Sequence, residues 1–403
     1  MFGFALYTGM QATKYMLSNR LQEVGVFLSI LLFFFGAIAS AFLVTDKNLK
    51  WSWWFFATIV FISYFMIVPG YVFHYHTGAS ALASIAASRE FLAVIIGPAL
   101  WFLYRSGIDI ELIERVICIT FALALVSYIF HYFRMDLVAA YNSTDNTVSS
   151  LVTFDPWRGY RLSTPGGALL FGTLVFPALL FKEKVKSYRY IWLVTVLVLV
   201  FIWSLTLARA AAATLIAATI AYHVAFAKKS RLGVLFTLLP VIIPASIIGF
   251  TSFISHLGSI TEVNGDSVRF ISYNIAWDNL KLSPIVGLGQ DSNATITFRE
   301  IYFKYFFPTD IGLAGVAFKY GAVGLLLYLF FSFYILVRLV KTNWLHRKKY
   351  GASNLILVGL IILFISFIMN MVLSPALIQI TGLVIASLSV SLTAIWKHKI
   401  SNE

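Results

Sequence analysis

Arg209 is the only ionised side chain between Tyr190 and Ala227, a run of 38 residues that reads WSLTLARAAAATLIAATIAY around it. As a single helix this run would extend about 57 Å, against a bilayer core of about 30 Å. The chain must fold back near Arg209, which sets the guanidinium at a membrane face. An arginine there is either matched by a partner or ligand or snorkels to the headgroups. The first case makes it a functional residue. Arg158 and Arg161 lie in DPWRGYRLSTPGG and Arg269 lies in DSVRFISYNIAWDNLKL. In the first string Ser163 or Thr164 suits an N-cap and Pro165 the first helical position, so Arg161 stands beside a helix N-terminus, whose free N–H groups suit phosphate. Guanidinium groups bind phosphate in a fork, so these arginines predict an anion site. The competing reading anchors each arginine to headgroups or to a nearby acid, which suits Arg158 beside Asp155.

The carboxylates able to take a proton near such a site are Asp310 first and Glu300 second. Asp310 opens the segment PTDIGLAGVAFKYGAVGLLLY at a predicted helix start, and Lys319 follows about 13 Å further along that helix. A lysine at that depth needs an acidic neighbour or an acidic substrate. Gly312, Gly315, Gly321 and Gly324 predict close packing. Glu90 beside Arg89 predicts an internal ion pair, with proton coupling as the sharper alternative. Trp157, Tyr160, Tyr273 and Trp277 either stack on sugar rings or belong to an interfacial aromatic belt. His74 and His76 show the only metal-like histidine spacing, and it is weak. The chain has no Walker, GxGxxG or GxSxG motif, and its lone cysteine, Cys118, excludes an intrachain disulfide. The expected chemistry uses no metal and no cofactor.

These side chains must be carried by membrane helices. The 403 residues are 60% hydrophobic and 12% charged, with mean hydropathy +0.86, where a soluble chain carries about 25% charged residues. Apolar spans are predicted at 24–44, 52–73, 80–104, 112–133, 166–181, 190–207, 210–227, 233–253, 313–337, 353–373 and 377–395. Residues 2–18 form either an interfacial helix or a twelfth span. The fold class is therefore an all-α polytopic membrane protein of 11–12 transmembrane helices. It forms one transmembrane domain over 1–403, with a large outer loop at 254–312 and a second at 134–165. Connectors rich in Lys182, Lys184, Lys186 and Arg189, in Lys228, Lys229 and Arg231, and in Arg338, Lys341, Arg347, Lys348 and Lys349 belong in the cytoplasm. The formal charge of +13 is thus a topology signal, and nucleic acid is not an expected partner. Within the large loop, 266–282 reads as an amphipathic helix with Phe270, Ile271, Tyr273, Ile275, Trp277 and Leu280 on its apolar side. Ser283-Pro284 stops it, and Gly287-Leu288-Gly289 reads as a tight, flexible turn.

Three strings carry a resemblance. RGYRLSTPGGALL, LTLARAAAATL (with Ala208 where serine is common) and SVRFISYNIAWDNLKLSPIVGLGQ, in this order, resemble the O-antigen ligase/polymerase superfamily of bacterial membrane glycosyltransferases, the Wzy/WaaL-like enzymes. The likeness covers about residues 155–340. Ligases of that superfamily carry a histidine in the late outer loop, and no histidine lies between Gly289 and Gly321 here. The segment at Asp310 is instead similar to the Asp-x-Gly segment of polysaccharide polymerases. The resemblance implies a multi-pass protein of the bacterial inner membrane with its site facing the periplasm. The implied reaction transfers a glycan from undecaprenyl pyrophosphate to a lipid-linked repeat unit, with membrane lipids and a chain-length regulator as partners. On this reading Arg209, Arg269, Asp310 and Glu300 are catalytic, and Arg161, Arg158, Lys319, Tyr273 and Trp277 bind substrate. The alternatives are a ligase acting on lipid A-core and a flippase. A flippase predicts paired repeats and broken helices, which the sequence does not show.

Overall fold

The computed structural model describes residues 1–10, 24, 27–35, 38, 53–144, 146–149, 151–155, 159–206, 209–226, 265–303 and 306–403; the side chains of 53–56, 146–147, 155, 209–210, 226 and 265–270 lie outside that description. The chain is an all-α polytopic membrane protein. Among the described residues Ala57–Thr77, Ile110–Arg134, Lys186–Thr206, Pro308–Tyr350 and Ile380–Asn402 are long and apolar enough to cross a membrane. The shorter apolar helices Gly166–Lys182, Arg209–Phe226 and Leu355–Asn370 pack among them. The long apolar run is two elements, one ending at Thr206 and the next beginning at Arg209, as its length requires. The predicted span 233–253 lies outside the described residues.

One end of the bundle is basic. Lys399 pairs with Glu111 at 2.6 Å, and Lys349 donates to the Ile400 carbonyl at 2.8 Å. Beside them Glu114 accepts from the Trp396 indole at 2.7 Å and from the Asn354 amide at 3.1 Å, joining three helices. The termini of the Ile110–Arg134 and Gly312–Tyr350 helices thereby fix which end is which. The N-terminal helix Phe2–Gly9 is a packed part of the bundle. Ala5, Leu6 and Met10 are buried, Tyr7 bonds Ser127, and Gly9 rests on Val384.

Four expectations change. The span at 80–104 is a bent pair, Ala81–Ala87 and Arg89–Arg105, turned by 46° at Ser88, and it passes through a 3-10 turn at Arg89–Ile95. The outer segment 134–165 is not all-helical: Val152–Asp155 and Gly159–Leu162 form an antiparallel hairpin in which Thr153 faces Arg161. Pro165 is the cap residue of the Gly166–Lys182 helix, not Ser163 or Thr164. The helix read as 313–337 runs on to Tyr350, so the basic connector at 338–349 is helical, and the helix is interrupted at Gly321.

That interruption has a partner. Gly321 has φ 65 and ψ −169, a conformation essentially restricted to glycine, and it breaks the i→i−4 ladder. The released groups are taken up by the GxG segment. Leu288 N–H donates to the Phe318 carbonyl at 2.7 Å and Gly289 N–H to the Lys319 carbonyl at 3.0 Å. In return Ala322 and Val323 donate to the Pro284 and Ile285 carbonyls at 2.9 and 3.2 Å. Backbone polar groups at membrane depth must be satisfied by protein, and this exchange does so. The turn read as flexible is therefore a locked plug. Two further irregular turns lie at this level: the π-helical Ser63–Ile67 and the 3-10 turn Arg89–Ile95. Phe65 and Phe91 pack on the Tyr320 ring, and Tyr64 donates to the Tyr320 carbonyl at 2.9 Å.

Candidate functional site

The end opposite the basic one carries the elements that bear Arg161, Arg209, Arg269 and Asp310. Arg161 leaves the second strand of the hairpin and donates from Nη1 to the Thr206 carbonyl at 3.2 Å. Thr206 closes the Lys186–Thr206 helix, so the guanidinium sits at the negative end of a helix dipole. Arg209 opens the next helix three positions further on. That helix descends from this end, since its Tyr222 lies beside Asn343 and Arg347 near the basic end.

The Asn370 end of Leu355–Asn370 is where separate segments meet. Ser366 bonds Thr214 of the Arg209–Phe226 helix at 3.1 Å, about one turn below the level of Arg209. Tyr273 donates to the Val372 carbonyl at 3.1 Å. Arg269 lies one turn earlier on the same helix, Gly265–Leu280. Gly312, two residues after Asp310, approaches the same carbonyl so closely that a Cβ would stand 1.9 Å from it. Asp310 is exposed on the short 3-10 turn Pro308–Ile311, against which the Gly265–Leu280 helix packs. The backbone positions of Arg209, Arg269 and Asp310 are thus tied to one corner, with Arg161 reaching toward the helix end that precedes Arg209. The side chains of Arg209 and Arg269, and all of Trp157 and Arg158, lie outside the described residues.

The side chains of the Gly265–Leu280 helix are described from Ile271 onward, and among these Ser272 and Ala276 are buried while Tyr273, Ile275 and Leu280 of the predicted apolar side are half-buried. Ile271 and Trp277 are exposed, Trp277 at 68%. The small residues let the helix lie close on its neighbours, and the bulky ones are left to lipid or ligand. The rest of the loop has its own core: Phe298, Phe306 and Phe318 meet edge to face with Phe73, Leu288 and Ile311 beside them.

Lys319 is placed beside an acidic neighbour, one of the two settings expected for it. Its side chain is 10% exposed; Nζ donates to Gln290 Oε1 at 2.9 Å and stands 3.8 Å from Asp291 Oδ1, with Glu90 near enough to attract it. Arg89 turns to the carbonyl of Ala86. Asp291 was not singled out by sequence reasoning. Its Oδ2 accepts from the Phe298 N–H at 3.1 Å, so one carboxylate joins the plug, the aromatic core and the lysine. The signal available was its place directly after GLGQ, where a fixed turn needs an anchor.

Glu300 is also committed. It closes a capping box on Phe298–Ile301, with one oxygen accepting from Thr297 N–H at 2.7 Å and from its hydroxyl at 2.9 Å. These two bonds hold its carboxyl below the usual carboxylate range. A carboxylate held ionised by fixed donors is a weak proton acceptor.

Residues 193–329, about a third of the chain, match the family model O-antigen ligase. The matched segment includes Arg209, Arg269, Tyr273, Asp310 and the plug with its broken helix, and it agrees with the superfamily resemblance carried by the three sequence strings. Members of this family are membrane glycosyltransferase-like enzymes, and the family implies lipid-linked glycans as substrates. No curated protein matches the chain.

Proposed function

We propose that this protein is a bacterial polysaccharide polymerase. It transfers a growing glycan from undecaprenyl pyrophosphate to the non-reducing sugar of a lipid-linked repeat unit. The observation that carries the reading is the convergence of the elements bearing Arg161, Arg209, Arg269 and Asp310 at the end of the bundle opposite the basic connectors. By the positive-inside rule that end faces the periplasm of the inner membrane. In the reaction the anomeric carbon–oxygen bond to the diphosphate breaks, and the electron pair leaves with undecaprenyl pyrophosphate. The acceptor hydroxyl oxygen bonds the anomeric carbon, and its proton passes to Asp310. Arginines placed beforehand stabilise the charge that grows on the diphosphate, the kind of electrostatic assistance that is usually the largest catalytic term. Such a site calls for no metal or cofactor.

A second reading, the ligase, is favoured by the description of the matching family model. It differs only in the acceptor, lipid A-core in place of a repeat unit, and the absence of histidine between Gly289 and Gly321 weighs against it. A flippase gains some support from the broken helices at Ser88 and Gly321, but the break at Gly321 is filled by the protein's own loop. The test is the surface polysaccharide of an Arg209→Ala strain in which the protein inserts normally. Single repeat units on the core are expected. Lipid-linked polymer accumulating without surface glycan identifies the ligase instead, repeat units trapped on the cytoplasmic side identify a flippase, and wild-type chain lengths sink the enzyme reading.

A further inference from the structure

Between the plug and the basic end, a cavity of about 540 Å³, counting its open mouth, separates the Ala57–Thr77, Gly312–Tyr350 and Ile380–Asn402 helices. Ala57 and Phe61 form one wall, Phe331 and Ile335 the second, and Ala386 and Val390 the third. The polar groups around it are already engaged. The Ser387 hydroxyl bonds the Val94 carbonyl and accepts from Gly97 N–H at 2.9 Å, and Thr58 has a partner of its own. A water needs about two to four polar partners to occupy such a space, so the cavity suits a hydrocarbon chain. Tyr334 also lines the cavity, and its hydroxyl is turned to a cation. It accepts from Arg338 Nη1 at 3.0 Å, and the guanidinium carbon stands 5.6 Å from its ring centre.

Arg338 is the first basic residue of its connector, one turn beyond Tyr334 toward the end that the positive-inside rule assigns to the cytoplasm. Among the described residues no acid pairs with it. Phe330, which stacks on Tyr334 at 5.8 Å, is exposed, as are Phe333 and Val337, so this flank of the helix faces lipid. We propose that the cavity and Arg338 form a binding site for one anionic phospholipid of the leaflet at the basic end. An acyl chain fills the space between the three helices, and the phosphate sits on the guanidinium and supplies the counter-charge that the protein does not. A zwitterionic headgroup brings its own cation and gains less from Arg338. The site lies toward the end opposite the elements that bear Arg209 and Asp310, so the inference does not rest on the proposed reaction.

The test is native mass spectrometry of the full chain in detergent, titrated with phosphatidylglycerol and, separately, with phosphatidylcholine. The wild type is expected to hold one phosphatidylglycerol about 10-fold more tightly than phosphatidylcholine, and Arg338→Gln to remove that preference. Ala386→Phe fills the cavity and should abolish tight binding of both lipids. Ala57→Leu narrows it from another wall and carries the test if Ala386→Phe does not insert. Lys348→Gln removes a cation of the same connector about 15 Å further along the helix and should change nothing. Equal affinity of the wild type for the two lipids overturns the proposal. So does undiminished phosphatidylglycerol binding in the cavity-filling variants, which would leave only a general attraction of anionic lipid to the basic end. Displacement of phosphatidylglycerol by an equal amount of undecaprenyl phosphate overturns it as well, by giving the cavity to a polyprenyl chain.

Discussion

Alanine at Gly321 measures how far the plug holds the site together. The backbone there, at φ 65 and ψ −169, costs an L-residue about 1–3 kcal/mol. The added Cβ would also stand 2.2 Å from the Ile285 carbonyl oxygen, which is backbone and cannot swing aside. Segment 284–289 must then retreat, at the expense of the four backbone hydrogen bonds that join it to the broken helix. Losing two of these costs about 1–3 kcal/mol at the usual net worth of a hydrogen bond, so the sum is about 2–6 kcal/mol. Gly351 provides a matched control. It too has positive φ, 74 with ψ −11, but a Cβ there meets nothing within 4 Å, so Gly351→Ala costs only about 1–2 kcal/mol of left-handed backbone. Both variants should be compared in detergent by thermal midpoint and by hydrogen exchange over 283–303, and in cells by polymer length. Gly321→Ala is expected to expose the 283–303 amides and abolish long chains, while Gly351→Ala leaves both unchanged. Equal behaviour of the two would show that the loop does not depend on the helix break, and the account of the plug would fail.

Two other substitutions separate structural from chemical roles. Lys319→Met leaves Asp291, whose side chain is only 22% exposed, without its cation and should loosen the loop; adding Asp291→Asn should restore it in the exchange assay. A double variant as inactive as Lys319→Met, yet with a protected loop, would mean that the lysine touches substrate after all. Glu300→Gln keeps an acceptor for the Thr297 cap and should retain activity, whereas Glu300→Ala should fray Phe298–Ile301; loss of turnover in Glu300→Gln with an ordered loop would return Glu300 to the role of base. Because the cap lowers the Glu300 pKa, its contribution is fully present above the ordinary carboxylate range and is lost only as the pH falls through the lowered value. Proteolytic protection of 297–303 should accordingly be flat from pH 8 to about 5 and decline only below about 4.

The helices were legible because a membrane forces them to be: length against bilayer thickness split the run around Arg209, and the elements end at Thr206 and begin at Arg209 as that argument requires. What hydropathy does not encode is the use of backbone groups. Nothing in the apolar pattern of GVAFKYGAVGLLLY announces that its helix breaks at Gly321, because the break is paid for by N–H and C=O groups of residues more than thirty positions earlier. The same blindness explains Lys319, whose amine looked available until Gln290 and Asp291 were brought beside it by that exchange. A loop that supplies backbone bonds to a membrane helix cannot drift relative to that helix. On the proposed reading a fixed loop suits charge stabilisation, since donors that must reorganise around a diphosphate lose most of their value. The bonds between 284–289 and the helix broken at Gly321 are what would hold the elements carrying Arg269 and Asp310 in one arrangement.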